Sequence, residues 1–251
     1  MGRLNTNKDF YNSLSSDYDL MVNASSYIPA RKEILKKFIN ENYRSAADIG
    51  CGTGNDAIAL ALNGLDVTGF EPSADMLLKA KQKSKAFGCR IDFVNAPASR
   101  IKKNFDCKFD LVVSLGNALA NMNPSELRKS VNRMRAVMRD GGSLLLQLLN
   151  YTNLRKENKR IVNVTENGGR IFFRFYDFLP GRLDFNILSA DRENLKNHKL
   201  ISTRLYEYKK SELSALLKNS GFKNIKCYSD FNLNPFSAAS SKDLIIAANK
   251  I

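Results

Sequence analysis

The chain has 251 residues, 43% of them apolar, and a formal net charge of +14. That length suits one large domain or a domain with an insertion, and no apolar run reaches the roughly 18 residues that a spanning helix needs. Cys51, Cys89, Cys107 and Cys227 form no Cys-x-x-Cys pair and stand far from the single His198, which argues against a zinc site and for a reducing, cytoplasmic setting.

The start, MGRLNTNKDF, lacks the apolar centre of a secretory signal. Residues 27–40 read as a helix, with Pro29 in its first turn and Ile34, Leu35, Phe38 and Ile39 on one stripe. SAADI (45–49) is a short buried strand, 55–62 a helix closed by Asn63-Gly64, and 66–70 a strand ending at Glu71. Residues 73–88 are a helix. Lys79, Lys81, Lys83 and Lys85 on it point in different directions without interleaved aromatics, so they read as a solvated surface. Strands follow at 91–96, 109–115 and 143–149. The helix before the last places Leu127, Val131, Met134 and Met138 on one face and stops at Gly141-Gly142. Strands alternating with helices predict a doubly wound, mostly parallel sheet covered on both faces.

The pattern changes after the fifth strand. Residues 156–208 hold four segments rich in aromatic and β-branched residues, broken at Asn167-Gly168-Gly169 and Pro180-Gly181. They predict an inserted antiparallel meander, a lid or wall of a substrate site. A helix closed by Gly221 and two strands, near 224–230 and 242–249, complete the first sheet and make it seven-stranded. The expected organisation is one domain from 1–155 and 209–251, interrupted by the β subdomain 156–208.

Gly50, Gly52 and Gly54 fall between the first strand and the next helix, just after Asp48. Glycine weakens helices and strands, so such a run needs a geometric reason. At the carboxyl end of a parallel sheet, bare backbone lets a ligand lie against the chain, and the helix start offers free N–H groups. Glu71 ends the second strand, where a carboxylate accepts two hydrogen bonds from ribose hydroxyls. A dinucleotide loop would space its glycines G-x-G-x-x-G; here the spacing is G-x-G-x-G, which disfavours a nicotinamide-dependent oxidoreductase.

The loop with its acids resembles the S-adenosylmethionine (SAM) loop of the class I, Rossmann-like methyltransferases, and the likeness extends along nearly the whole chain. EPSADMLLKA (71–80) is similar to the family's segment in which, by that likeness, Glu71 and Pro72 hold the ribose side and Met76 packs on the adenine. Asn95-Ala96 stands where the family has Asp-Ala facing the adenine. SLGNALANM (114–122) resembles a loop of glycine and sarcosine N-methyltransferases that lies beside the sulfonium, which implies cofactor contacts for Leu115, Gly116 and Asn117 and a substrate contact for Asn121. NYTNL (150–154) resembles their segment after the fifth strand and implies Asn150 and Tyr151 at the substrate. FYNSLSSDYDLM (10–21) resembles a Tyr-containing N-terminal helix that closes over SAM.

The resemblance implies a SAM-dependent methyltransferase that releases S-adenosylhomocysteine (SAH). Its cofactor set is Tyr11, Tyr18, Arg31, Asp48, Gly50, Cys51, Gly52, Gly54, Glu71, Pro72, Met76, Asn95, Ala96, Leu115, Gly116 and Asn117. Tyr11 and Tyr18 would cover the sulfonium, attracting it by roughly 0.5–2 kcal/mol. Arg31 would grip the methionyl carboxylate. Tyr18 and Asn117 are the candidates nearest the chemistry, with no metal involved, and Arg174, amid aromatics, would recognise an acidic acceptor. In-line transfer to a neutral amine needs no strong base. The expected acceptor is a small molecule. An RNA acceptor is the alternative that the charge permits, although no Asn-Pro-Pro-Tyr base-flipping segment follows the fourth strand. No membrane partner is expected, and a homo-oligomer is left open.

Overall fold

The structure, a computed structural model, describes residues 5–251. Three helices open the described chain: α1 (Asn7–Leu14), α2 (Tyr18–Val22) and α3 (Ala24–Lys36). Then β1 (Ser45–Ile49), α4 (Asn55–Ala61), β2 (Asp66–Glu71), α5 (Ala74–Ala86), β3 (Ile91–Asn95), β4 (Phe109–Ser114), α6 (Pro124–Val137) and β5 (Met138–Leu149) alternate. After α7 (Tyr151–Glu157) come β6 (Ile161–Asn167), β7 (Arg170–Leu179), β8 (Arg182–Asp191) and β9 (His198–Leu205). Last are α8 (Lys210–Asn219), β10 (Phe222–Tyr228) and β11 (Asp243–Lys250).

Seven strands form one sheet in the order β10-β11-β5-β4-β1-β2-β3, and β6 to β9 form a separate four-stranded sheet. β1 to β5 pair in parallel, β11 and β10 antiparallel. Successive residues of the central strands feed opposite faces. Ala47, Ile49 and Val112 enter the layer with α6 and α8, whereas Ala46, Leu111 and Val113 enter the layer with α3 and α4. The chain reverses its winding between β1 and β4, and that switch point opens the crevice in which open α/β sheets bind ligands. The four antiparallel strands pair in chain order, continuously for β7–β8 and β8–β9 and with a register shift between Ile161 and Asn163 in β6. The meander packs Phe172, Ile187 and Ile201 against Phe10, Leu14 and Met21, so α1 and α2 form a cap between the two sheets.

Three local expectations are corrected. The helix expected at 27–40 starts at Ala24, because Asn23 (φ 52) reverses the chain and its carbonyl accepts from Ser26 and Tyr27. Pro29 therefore lies inside α3, where its missing N–H forfeits one bond near the helix start. α6 ends at Val137, and Met138 opens β5 opposite Phe109. Gly142 serves that close approach: a Cβ there would lie 2.9 Å from the Arg139 carbonyl and 3.0 Å from that of Asp110. The tyrosine-bearing helix expected over 10–21 is two helices. The break falls at Ser15–Asp17, where Asp17 pairs with Arg170 of β7 at 3.1 Å.

Candidate active site

A cavity of about 790 Å³ lies at the carboxyl ends of β1, β2 and β4, under the cap. Its floor is the loop after β1. Gly50 and Cys51 donate their N–H groups to the Phe70 carbonyl at 2.8 and 3.2 Å, which folds the loop back against β2. Gly50 (φ 75) is packed so tightly that a Cβ would sit 2.9 Å from the Ala118 Cβ. Gly52 (φ 54) lines the cavity, and a Cβ there would meet nothing within 4 Å, so its bare main chain faces open space.

Glu71 is 6% exposed. Its carboxylate accepts from Gly52 N (3.1 Å) and Ser73 N (2.9 Å). Burial pushes it up to about 6, against the downward pull of those two N–H groups. Pro72, Leu115, Gly116 and Asn117 extend the wall, and Tyr11, Tyr18 and Asn121 cover it. Burial raises Tyr11 to about 12, eased by the hydrogen bond from Asn121, and raises Tyr18 as well. Both phenols therefore stay protonated near neutral pH and offer aromatic faces and hydroxyls rather than a base.

Several expected residues lie elsewhere. Asp48 sits beneath the loop. Its Oδ2 has no partner among the described residues, and burial, then the charges of Asp56 and Glu71, hold its carboxyl well above the usual range. Gly54 packs α4: a Cβ there would meet Ala80 at 3.1 Å and Phe93 at 3.2 Å, so it serves helix packing rather than a ligand. Met76 is fully buried in the cluster of Phe10 and Phe172 and is not on the cavity wall. Asn95 is exposed and donates its amide to the carbonyls of Glu71 and Pro72, both at 3.0 Å; it and Ala96 give the wall to Pro97 and Ala98. His198 is exposed on β9, away from the cavity.

Asn150 and Tyr151 also lie behind the wall. Asn150 donates to the carbonyls of Ser237, Ala238 and Ser241, pinning the loop before β11. Asn150→Ala is expected to lower stability by about 2–3 kcal/mol, by stripping the buried Ser241 carbonyl and the part-buried carbonyls of Ser237 and Ala238 of their donor, while SAH affinity holds. Thermal denaturation and calorimetry check the two halves. Tyr151 accepts from Asn117 Nδ2 at 2.8 Å, and Asn117 Oδ1 accepts from Leu149 N at 3.1 Å. Asn117, with φ 67, thus reaches the cavity as a held residue.

Arg31 reaches the cavity already paired. Its Nε donates to Asp56 at 2.6 Å and its Nη2 to Gln147 at 3.1 Å, between the rings of Tyr27 and Phe231. A grip on a methionyl carboxylate through Nε is ruled out while the Asp56 pair holds. Asp56 and Gln147 were missed from sequence, although a glutamine inside SLLLQLL is a polar break in an apolar strand and could have been noticed.

Comparison with known proteins gives the same result from another direction. A family model described as a methyltransferase domain matches residues 46–142. A carboxy-S-adenosyl-L-methionine synthase of Nautilia profundicola is 27% identical over 87% of this chain and 88% of its own length. A glycine/sarcosine N-methyltransferase of Aphanothece halophytica is 22% identical, over 85% and 80%. A SAM-dependent methyltransferase structure from Clostridium acetobutylicum shares the fold with a TM-score of 0.77, at 16% identity over 95% of this chain and 98% of that one. These findings together support a class I SAM-dependent methyltransferase, its methyltransferase domain spanning residues 46–142.

The methyltransferase takes SAM as its cofactor, and the residues present fit it. The main chain of Gly52 faces open space, and the Glu71 carboxylate, each oxygen accepting a single backbone N–H, stands beside it at the end of β2 with further lone pairs to offer. The nicotinamide reading is thereby set aside. No helix among the described residues is long and apolar enough to cross a membrane.

Proposed function

We propose that the methyltransferase acts on a small amine that carries an acidic group. The observation that carries this reading is Arg174. It shares one face of β7 with the buried Phe172 and Tyr176, and its side chain lines the cavity. Its Nε donates to Asn163 at 2.6 Å, and no carboxylate pairs with it among the described residues. Burial works against its charge. A half-buried guanidinium without an anion is completed by a ligand carboxylate or phosphate, which it takes bidentately.

When bound, SAM supplies a methyl group that the acceptor's nitrogen lone pair takes in line, the carbon–sulfur electrons returning to sulfur to give SAH. The chain's own work is positional. Glu71 and the glycine loop fix the nucleoside, Tyr11 and Tyr18 shield the reacting centre from water, and Arg174 orients the acceptor. A neutral amine attacks without help, and the phenols around it are too weakly acidic to act as bases. The name of the Aphanothece relative supports an amine acceptor.

The test is SAH formation with glycine, sarcosine and longer amino acids beside matched amines lacking the acid. The acidic amines are expected to turn over, and Arg174→Ala to raise their KM about 10- to 100-fold, as the loss of a charged hydrogen-bonding partner requires, with SAM affinity unchanged. Equal turnover of both sets by both proteins defeats the reading. Turnover of RNA that falls steeply with salt replaces it with a nucleic-acid acceptor.

A second reading is favoured by the Nautilia relative, whose name is that of a synthase of carboxylated SAM. There Arg174 would hold the carboxyl group on the cofactor itself. Mass spectrometry of the cofactor after turnover separates the two: SAH marks methyl transfer, and a heavier, carboxylated SAM marks the other.

A further inference from the structure

Lys83 belongs to the run of lysines that reads as a solvated face, and its surroundings contradict that reading. Met76, Ala80 and Lys83 share one side of α5, and that side turns inward. The Lys83 side chain is 12% exposed. Its ammonium donates to Asp19 Oδ1 at 2.6 Å, to Thr53 Oγ1 at 2.9 Å and to Asn55 Oδ1. An ammonium has three protons, and each finds an acceptor.

Those acceptors belong to two bodies. Asp19 is in the cap, next to Tyr18, which lines the cavity. Thr53 and Asn55 are the glycine loop and the first residue of α4, both buried. Thr53 closes the triangle by donating to Asp19 at 2.7 Å. Other contacts tie the cap to the meander and to the start of α5: Arg170 with Asp17, Asn167 with the Leu20 carbonyl, and Ser73 with Asn12. The Lys83 cluster ties it to the floor of the SAM site.

We propose that Lys83 is a positioning residue that latches the N-terminal cap onto the glycine loop, and that parting this latch governs the release of SAM and SAH. Opening the cap removes Asp19, the anion that pairs with this largely buried cation, and leaves Lys83 two neutral oxygens. Burial lowers the basicity of Lys83, and Asp19 offsets part of that loss. The cap therefore closes onto a charge that is satisfied only when it is closed. Closed, it sets Tyr18 over the cavity and keeps the loop in the shape that Gly52 presents to the ligand. The inference rests on SAM binding and not on the identity of the acceptor.

Stopped-flow measurement of SAH release tests it. Lys83→Met and Asp19→Asn are each expected to speed release about tenfold or more, since breaking a buried charge pair acts on the off-rate. The double variant is expected to be no faster than the faster single, because both remove one interaction. Amide exchange of residues 15–22 in the SAH complex should rise in the same variants. Unchanged release in both singles, multiplied effects in the double, or weaker SAH binding with unaltered exchange at 15–22 overturns the latch. If Lys83→Met does not fold, Asp19→Asn, nearly isosteric and able to keep the Thr53 bond, decides alone. Wild-type protein that fails to bind SAH refutes the cofactor assignment instead.

Discussion

Glu71→Ala is expected to weaken SAH binding about a hundredfold. Two ribose hydroxyls bonded to a carboxylate contribute about 1.5 kcal/mol each at the low end for charged acceptors, and the roughly 3 kcal/mol total converts to that ratio. Calorimetric titration reads it directly. The same side chain imposes a pH dependence of known sign. In the ligand-free protein, Glu71 titrates near 6, raised from 4.5 chiefly by burial. Ligand hydroxyls need the ionised form, so SAH affinity is lost as pH falls through 6. Stability of the ligand-free protein moves the other way. A carboxyl whose folded pKa is raised binds its proton more tightly when folded, so its contribution is full below 4.5 and fades as pH rises through 6, by about 2 kcal/mol. Asp48 and Asp243, also raised by burial, act in the same direction. Between pH 4.5 and 6, then, the melting temperature without ligand should fall as pH rises while SAH affinity grows. Glu71→Gln should flatten the affinity profile. Affinity that is indifferent to Glu71→Ala removes the carboxylate from the nucleoside site.

The parts of this arrangement that were legible in the sequence are those set by local pattern. The seven strands of the main sheet show as short apolar or β-branched runs, and the meander as alternation broken by glycine and proline. Both sheets form where those runs fall. The glycine loop and Glu71 were readable because backbone geometry restricts residue type there. What escaped was set by partners distant in the chain. Asn150 looks like a substrate residue until it is seen to reach carbonyls 87 to 91 positions away. Lys83 looks solvated until Asp19, 64 positions back, folds over it. Met76 and Asn95 fall where the family resemblance puts adenine contacts. In this chain the cap fills the space around Met76, and Asn95 is occupied with the turn after β2. Arg31 illustrates the same limit: its place on a helix was legible, whereas its commitment to Asp56 was not.

Gly50→Ala and Gly52→Ala should separate folding from binding within one loop. Both positions have positive φ, which costs an L-residue about 1 kcal/mol. At Gly50 the added methyl would also press on Ala118 at 2.9 Å. Overpacking of that kind costs about 1–3 kcal/mol, so the total is about 2–4 kcal/mol and the melting temperature should drop by roughly 5–15 °C in a chain of this size. Ala118→Gly removes the opposing carbon and should restore most of the overpacking share, leaving the backbone strain. At Gly52 the methyl meets nothing, so the protein should lose only a few degrees. That methyl nevertheless stands where ligand and main chain must touch, and SAH affinity should fall tenfold or more. A Gly52→Ala protein that binds SAH as tightly as the wild type would show that the open space above this residue is solvent rather than the seat of the cofactor. The floor of the site would then have to be sought at Gly116 and Asn117, across the crevice on the β4 side.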